Sequence, residues 1–163
     1  HCFCRGHVNK RKDKYQVKNY FFLEELINIC RNSLSNNLLS FRVSQHTVDN
    51  PYLRYNDGDL NLVSLIKKLN FLDIDILHVS EIKAGAKLFG NNRSLLNIAI
   101  QYFENTIISC GRHDSVKSAN EFLNLNTDLI AFGRYYLANP DLPKILKDKK
   151  HNLKKFEYNQ IFL

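Results

Sequence analysis

The sequence reads as an α/β domain built on a parallel sheet. Strand-length apolar stretches alternate regularly with stretches of helical spacing, giving one helix and then four strand–helix units. That alternation is the pattern of parallel strands joined by crossover helices. The strand stretches are also mostly continuous apolar runs, as expected when both faces of a sheet are covered.

Taken in order, Tyr20 to Leu34 places Phe22, Leu23, Leu26, Ile27, Cys30 and Leu34 at helical spacing, and Ser35-Asn-Asn37 ends that helix. Leu38 to Ser44 is the first strand and carries a single charge, Arg42. A polar loop runs from Gln45 to Gly58, and Asp59 is suited to cap a helix whose inward positions are Leu62, Val63, Leu65, Ile66 and Leu69. Ile74 to Ser80 is the second strand, Glu81 to Asn92 a loop, and Arg93 to Phe103 a helix. Asn105 to Cys110 is the third strand, and Ser115 opens a helix reaching Leu123. Asp128 to Phe132 is the fourth strand. Asn139 and Pro140 have the chemistry of a cap and first turn, continued by Leu142 to Asp148. The alternation does not separate a half barrel from a small doubly wound sheet. No Gly-x-Gly-x-x-Gly follows the first strand, which counts against a dinucleotide-binding sheet.

The chain has 163 residues, 44% of them hydrophobic, enough for one domain spanning 1–163. No apolar run reaches the roughly 18 residues a membrane-crossing helix needs. No signal peptide is recognisable, so a cytoplasmic location is expected. The start, His-Cys-Phe-Cys-Arg, and the absence of any Met suggest a piece of something longer. Net charge is +7, much of it in Lys10–Lys14 and Lys144–Lys155. No nucleic-acid motif accompanies these stretches, so they read as solvated surface. Of four cysteines, Cys30 and Cys110 fall in apolar patterns and read as small buried hydrophobes. His1, Cys2, Cys4 and His7 have the atoms for zinc, but Cys-x-Cys is tighter than a usual structural site, and no metal site is assigned.

In parallel α/β folds, ligands gather at the C-terminal ends of the strands. Those ends offer Arg42 and Ser44, His78 and Glu81, then Gly111, Arg112 and His113, and finally Gly133 and Arg134. Glycine–arginine pairs thus end two consecutive strands, each before a helix. Backbone N–H groups and a guanidinium fork brought together there suit a phosphate. Arg42, inside an apolar strand, must be paired or face a polar pocket or anionic ligand. His78 reads first as a satisfied core histidine, and Glu81 as a loop residue or ion-pair partner.

The segment Ala131-Phe-Gly-Arg134, followed by Ala138-Asn-Pro-Asp-Leu-Pro143, resembles the old yellow enzyme family of FMN-dependent NAD(P)H oxidoreductases. Other stretches join it: Asn9, Arg11, Asp13 and Tyr15 resemble that family's Asn-x-Arg-x-Asp-x-Tyr. Arg42-Val-Ser44 resembles its Arg-Leu-Ser strand, and Tyr55-Asn-Asp-Gly-Asp59 a loop of its bacterial branch. Leu77–Glu81 and Ile107–Gly111 resemble further strands, and Asn152–Phe162 its C-terminal tail. There are departures. Gln16-Val-Lys-Asn19 stands where Gly-Gly-Ser-x-Glu-Asn-Arg is usual, Arg5-Gly6 where Ser-Pro is, and the chain ends Ile-Phe-Leu where Phe-Tyr is common.

The resemblance implies a TIM barrel, of which this chain supplies about the last four strand–helix units. It implies FMN bound non-covalently, NAD(P)H as reductant and an activated alkene as substrate. Arg42 is then expected beside the pyrimidine edge of the flavin. Gly111, Arg112 and Gly133 are expected to offer N–H groups to the phosphate, and Arg134 to pair with it. The family's substrate-orienting His/Asn or His/His pair and proton-donating tyrosine would precede His1, so no catalytic residue is assigned here. The expected partner is the missing N-terminal half or a second copy. A split or decayed fragment, or another phosphate-binding barrel, are the alternative readings.

Overall fold

The computed structural model describes residues 20–34, 36–45, 59–87, 92–148 and 153–157. The expectations placed on Asn9–Tyr15, on His1–His7, on Tyr55–Gly58 and on the tail beyond 157 lie outside these residues.

Ten elements follow one another: α1 (Tyr20–Leu34), β1 (Ser40–Val43), α2 (Asp59–Phe71), β2 (Ile76–Ser80), α3 (Leu95–Tyr102), β3 (Thr106–Cys110), α4 (Val116–Leu123), β4 (Leu129–Ala131), α5 (Arg134–Ala138) and α6 (Leu142–Lys147). The four strands form one sheet in the order β1-β2-β3-β4, with every neighbouring pair parallel. Each expected strand is present, trimmed by one or two residues at its ends.

Register sorts the side chains into two faces. Val43, Val79 and Ser109 lie level with Ile130, and Leu77 is level with Ile107. These residues face the helices. Val43, Leu77, Val79 and Ile107 join Leu23, Ile27, Leu62, Ile66, Leu69, Leu95 and Ile98 in one buried core. The other face carries the row Arg42, His78, Ile108 and Leu129, and above it Ser80, Cys110 and Ala131. No described helix covers that face, and Leu129 is 51% exposed.

The residue immediately before each of the last three strands reaches back to the strand before it. Asp75 Oδ2 accepts from Leu39 N (2.7 Å), Asn105 Nδ2 donates to Ile74 O (2.9 Å) and Asp128 Oδ2 accepts from Ile107 N (2.7 Å). Asp75 also receives Arg31 at 2.8 Å. The Leu39 N–H bond and then Arg31 hold its carboxyl below the usual carboxylate range. Lys68 pairs with Glu24, tying α2 to α1.

Local signals behave as their chemistry requires at two helix starts. Ser94 and Asn97 form a reciprocal capping box (Asn97 N to Ser94 Oγ and Ser94 N to Asn97 Oδ1, both 3.0 Å), and Ser115 Oγ accepts from Ser118 N at 3.1 Å. The expected cap at Asn139 is corrected. A short helix, α5, begins directly after Gly133, and Asn139 closes it rather than opening the next; Asp141 stands before α6. The buried Asn139 amide donates to Tyr135 O and Lys154 O and accepts from Lys154 N. Its side chain is consumed in pinning residues 153–157 to α5.

Replacing Asp128 with Ala removes the carboxylate that holds the start of β4. We expect a loss of about 1–3 kcal/mol in global stability. Amide hydrogen exchange at Leu129–Ala131 is expected to accelerate more than exchange in β2.

Candidate phosphate-binding site at the strand ends

Cys110 is level with Ala131, so the two Gly-Arg turns start one and two residues later on adjacent strands and at the same end of the sheet. Gly111 is buried, and the β2–α3 loop crosses directly over it. A Cβ there would lie 2.5 Å from Ala84 N and 2.8 Å from Glu81 O, both backbone atoms. Glu81 N donates to Cys110 O and Ala84 N to Gly111 O, both at 2.9 Å. Glu81 is therefore a loop residue: it is buried, and its Oε2 accepts from Gly85 N at 2.9 Å.

Arg112 follows with φ +50°, a left-handed conformation uncommon outside glycine, and its side chain is exposed. Gly133 has the opposite surroundings to Gly111: nothing lies within 4 Å of where its Cβ would be. It stands before α5 without a side-chain cap, and Arg134 is exposed beside it. The two turns thus combine a tightly held backbone on β3 with open space on β4, between two cationic side chains.

Arg42 lies on the face turned away from the helices. It donates to Ser80 Oγ at 2.7 Å, so its side chain is oriented by a hydroxyl rather than consumed in a buried ion pair among the described residues. His78 is level with Arg42 on the next strand. Burial, and then the neighbouring Arg42 charge, push its pKa below 6.5. Its Nε2 is buried with no hydrogen-bond partner among the described residues, which corrects the reading of a satisfied core histidine.

His113 does not belong with the exposed donors at the strand ends. It is only 3% exposed, lies 3.2 Å from Ser109 Oγ through Nε2, and stands edge-on to Phe122 and Phe132. It packs between the third and fourth units. Burial lowers its pKa, outweighing Ser109 and Asp114. Cys30 and Cys110 are free and half-buried, less enclosed than their apolar surroundings suggested.

Four parallel strand–helix units in sequential order define part of a parallel α/β barrel. Comparison with known proteins gives the family. Residues 1–152 match the NADH:flavin oxidoreductase / NADH oxidase family, and the chain belongs to it. The chain is similar to 12-oxophytodienoate reductase 2 of Arabidopsis thaliana, 28% identical over 152 residues that make up 87% of this chain and 39% of that protein. Among solved structures, the old yellow enzyme homologue from Zymomonas mobilis superposes with a TM-score of 0.75 at 23% identity, covering 96% of this chain and 45% of that one. Morphinone reductase in complex with tetrahydroNAD gives a TM-score of 0.74, also at 23% identity, over 96% and 42%. The chain therefore spans less than half the length of these relatives.

Two outcomes follow from the geometry. Gly111→Ala drives a methyl group into backbone, and we expect a loss of about 1–3 kcal/mol, read from the denaturant midpoint. His78 and His113 both resist protonation in the folded chain. Stability is thus fully present above pH 6.5, their ordinary pKa, and falls with pH below it until the folded-state pKa values are passed. Chemical denaturation between pH 5 and 8 is expected to show that slope, reduced in His113→Gln.

Proposed function

We propose that the chain is the flavin phosphate-binding, C-terminal half of an FMN-dependent NAD(P)H oxidoreductase of the ene-reductase type. The observation that carries this reading is the pair of Gly-Arg turns side by side at the ends of β3 and β4. The residues fit an FMN phosphate: buried Gly111 admits no side chain, Arg112 turns the backbone into a left-handed conformation, and Gly133 leaves open space next to Arg134. In this reading Gly111, Arg112 and Gly133 present N–H groups to the phosphate, and the Arg134 guanidinium pairs with it.

Arg42 serves the other end of the cofactor. Oriented by Ser80, its positive charge favours added negative charge at the pyrimidine edge of the flavin. When bound, the flavin would supply hydride transfer from NAD(P)H to an activated alkene; the protein's task is to hold and tune it. No donor for the proton that such a reduction also consumes is identified among the described residues. The isolated chain is therefore expected to show no ene-reductase turnover and to bind FMN weakly or not at all, because half of the enclosing strands are absent.

The test joins the chain to the first half of a family member and titrates it with FMN and with riboflavin, following flavin fluorescence. FMN is expected to bind more tightly than riboflavin. Arg134→Ala is expected to weaken FMN by about 10–150-fold, the equivalent of a charged hydrogen bond worth about 1.5–3 kcal/mol, and to leave riboflavin unchanged. Equal binding of the two flavins, or equal losses in the variant, overturns the phosphate assignment. Tight stoichiometric binding of FMN by the lone chain overturns the expectation about the half.

A further inference from the structure

The two glycine–arginine turns stand on different strand–helix units, and the pairing of the sheet stops short of both. The last paired residues of β3 and β4 are Cys110 and Ala131. Among the described residues, no strand pairing therefore fixes Gly111–Arg112 relative to Gly133–Arg134. A phosphate that both turns are to reach needs that spacing held closely, because a hydrogen bond weakens steeply outside about 2.7–3.2 Å. Side chains beside the turns must supply what the sheet does not.

His113 lies where that spacing can be set. It directly follows Gly111 and Arg112, is buried, and is tied to β3 through Nε2, 3.2 Å from Ser109 Oγ. Its ring meets Phe132, the residue immediately before Gly133, with centroids 6.1 Å apart and planes at 64°. It also meets Phe122 of α4, at 5.0 Å and 74°. Phe122 in turn abuts the loop that crosses Gly111: a Cβ added at Gly85 would lie 3.1 Å from Phe122 Cε1. One run of contacts thus passes from that loop, through Phe122 and His113, to the residue before the second turn. His113 Nδ1 is buried with no hydrogen-bond partner among the described residues. A ring that leaves one nitrogen unpaired is placed here by its shape and edge-on packing more than by hydrogen bonding.

We infer that His113 is a positioning residue for the phosphate: its ring, set between Phe122 and Phe132, fixes the separation of the Gly111–Arg112 turn from the Gly133–Arg134 turn. This inference rests on the reading of those turns as the FMN phosphate site. His113 touches no ligand in this role; it acts through the backbone that it follows and the aromatic residue that precedes Gly133. Without the ring the two turns move independently, and an anion is met well by one turn or the other but not by both. The effect is selective. A flavin that carries no phosphate loses nothing when the two turns drift apart.

Two measurements test this. The first is amide hydrogen exchange in the 163-residue chain without ligand, read at Ala84 and Tyr136, whose N–H groups donate to Gly111 O and Gly133 O at 2.9 Å. His113→Ala is expected to speed exchange at both by about tenfold relative to Leu77 and Val79 in β2, while His113→Phe, which keeps a ring, stays within about twofold of the parent. The second is titration with FMN and with riboflavin of the chain joined to the first half of a family member. His113→Ala is expected to weaken FMN by about tenfold and riboflavin by less than about twofold, and His113→Phe to restore the parent's preference. Should His113→Ala fail to fold, Phe132→Leu removes the same contact from the other side and is read by the same two measurements. Exchange that accelerates equally in β2 shows a general loss of stability and overturns the inference, as does equal weakening of the two flavins. A parent that prefers FMN, with that preference intact in His113→Ala, overturns the inference and leaves the phosphate reading standing. A parent that binds both flavins equally overturns the phosphate reading and this inference with it.

Discussion

The register of the sheet is the constraint on which the rest of the molecule depends. A slip of one residue in any strand would send Leu77 or Ile107 to the open face and turn His78 or Ile108 into the core. Parallel strands have no tight turn to set their alignment, since each pair is separated by a helix. Here the alignment is held by Asp75, Asn105 and Asp128, each reaching from the residue before its strand to backbone in the preceding strand or just ahead of it. Arg31 holds the first of these carboxylates in place. The polar bonds lie at one end of the sheet, and the Gly-Arg turns lie at the other. The two sets of polar groups are thereby separated by the length of the strands.

At the upper end the same register brings the turns together. Cys110 level with Ala131 is what makes the two glycines neighbours. The crossing of the β2–α3 loop over Gly111 then fixes one of them, through two backbone hydrogen bonds that a side chain would displace. His113 supports this arrangement from below by filling the space between Phe122 and Phe132. Its burial explains why it is a wedge: the loss of water outweighs what Ser109 and the Asp114 charge offer a cation there.

Much of this was legible in the sequence. Apolar runs and helical spacings placed all four strands and their order, although among the described residues helices cover only one face of the sheet, not the two expected from the runs. The glycine–arginine pairs were visible as a pattern, and their adjacency followed from parallel order alone. Less legible were residues whose role depends on distant partners. Asn139 carries the chemistry of a cap, yet its amide is used by Lys154, fifteen residues away. His113 looked like one more polar residue at a strand end, and only the positions of two phenylalanines make it core. Asp75, Asn105 and Asp128 each sit before a strand, where a polar residue is unremarkable until its partner on the preceding strand is known. That shared position is a signal that sequence inspection could have used.

The face turned away from the helices is where fold and function meet. Its row runs from Arg42 through His78 to Ile108 and Leu129, cationic at one end and apolar at the other. An apolar residue on that face gains nothing from the described helices, and an arginine there is not needed for packing. In the barrel relatives that the chain superposes on, the corresponding face is the inner one, which accounts for apolar side chains that no described helix covers. The charge of Arg42 is kept available because Ser80 orients it without neutralising it. A hydroxyl orients the guanidinium there while its positive charge is kept.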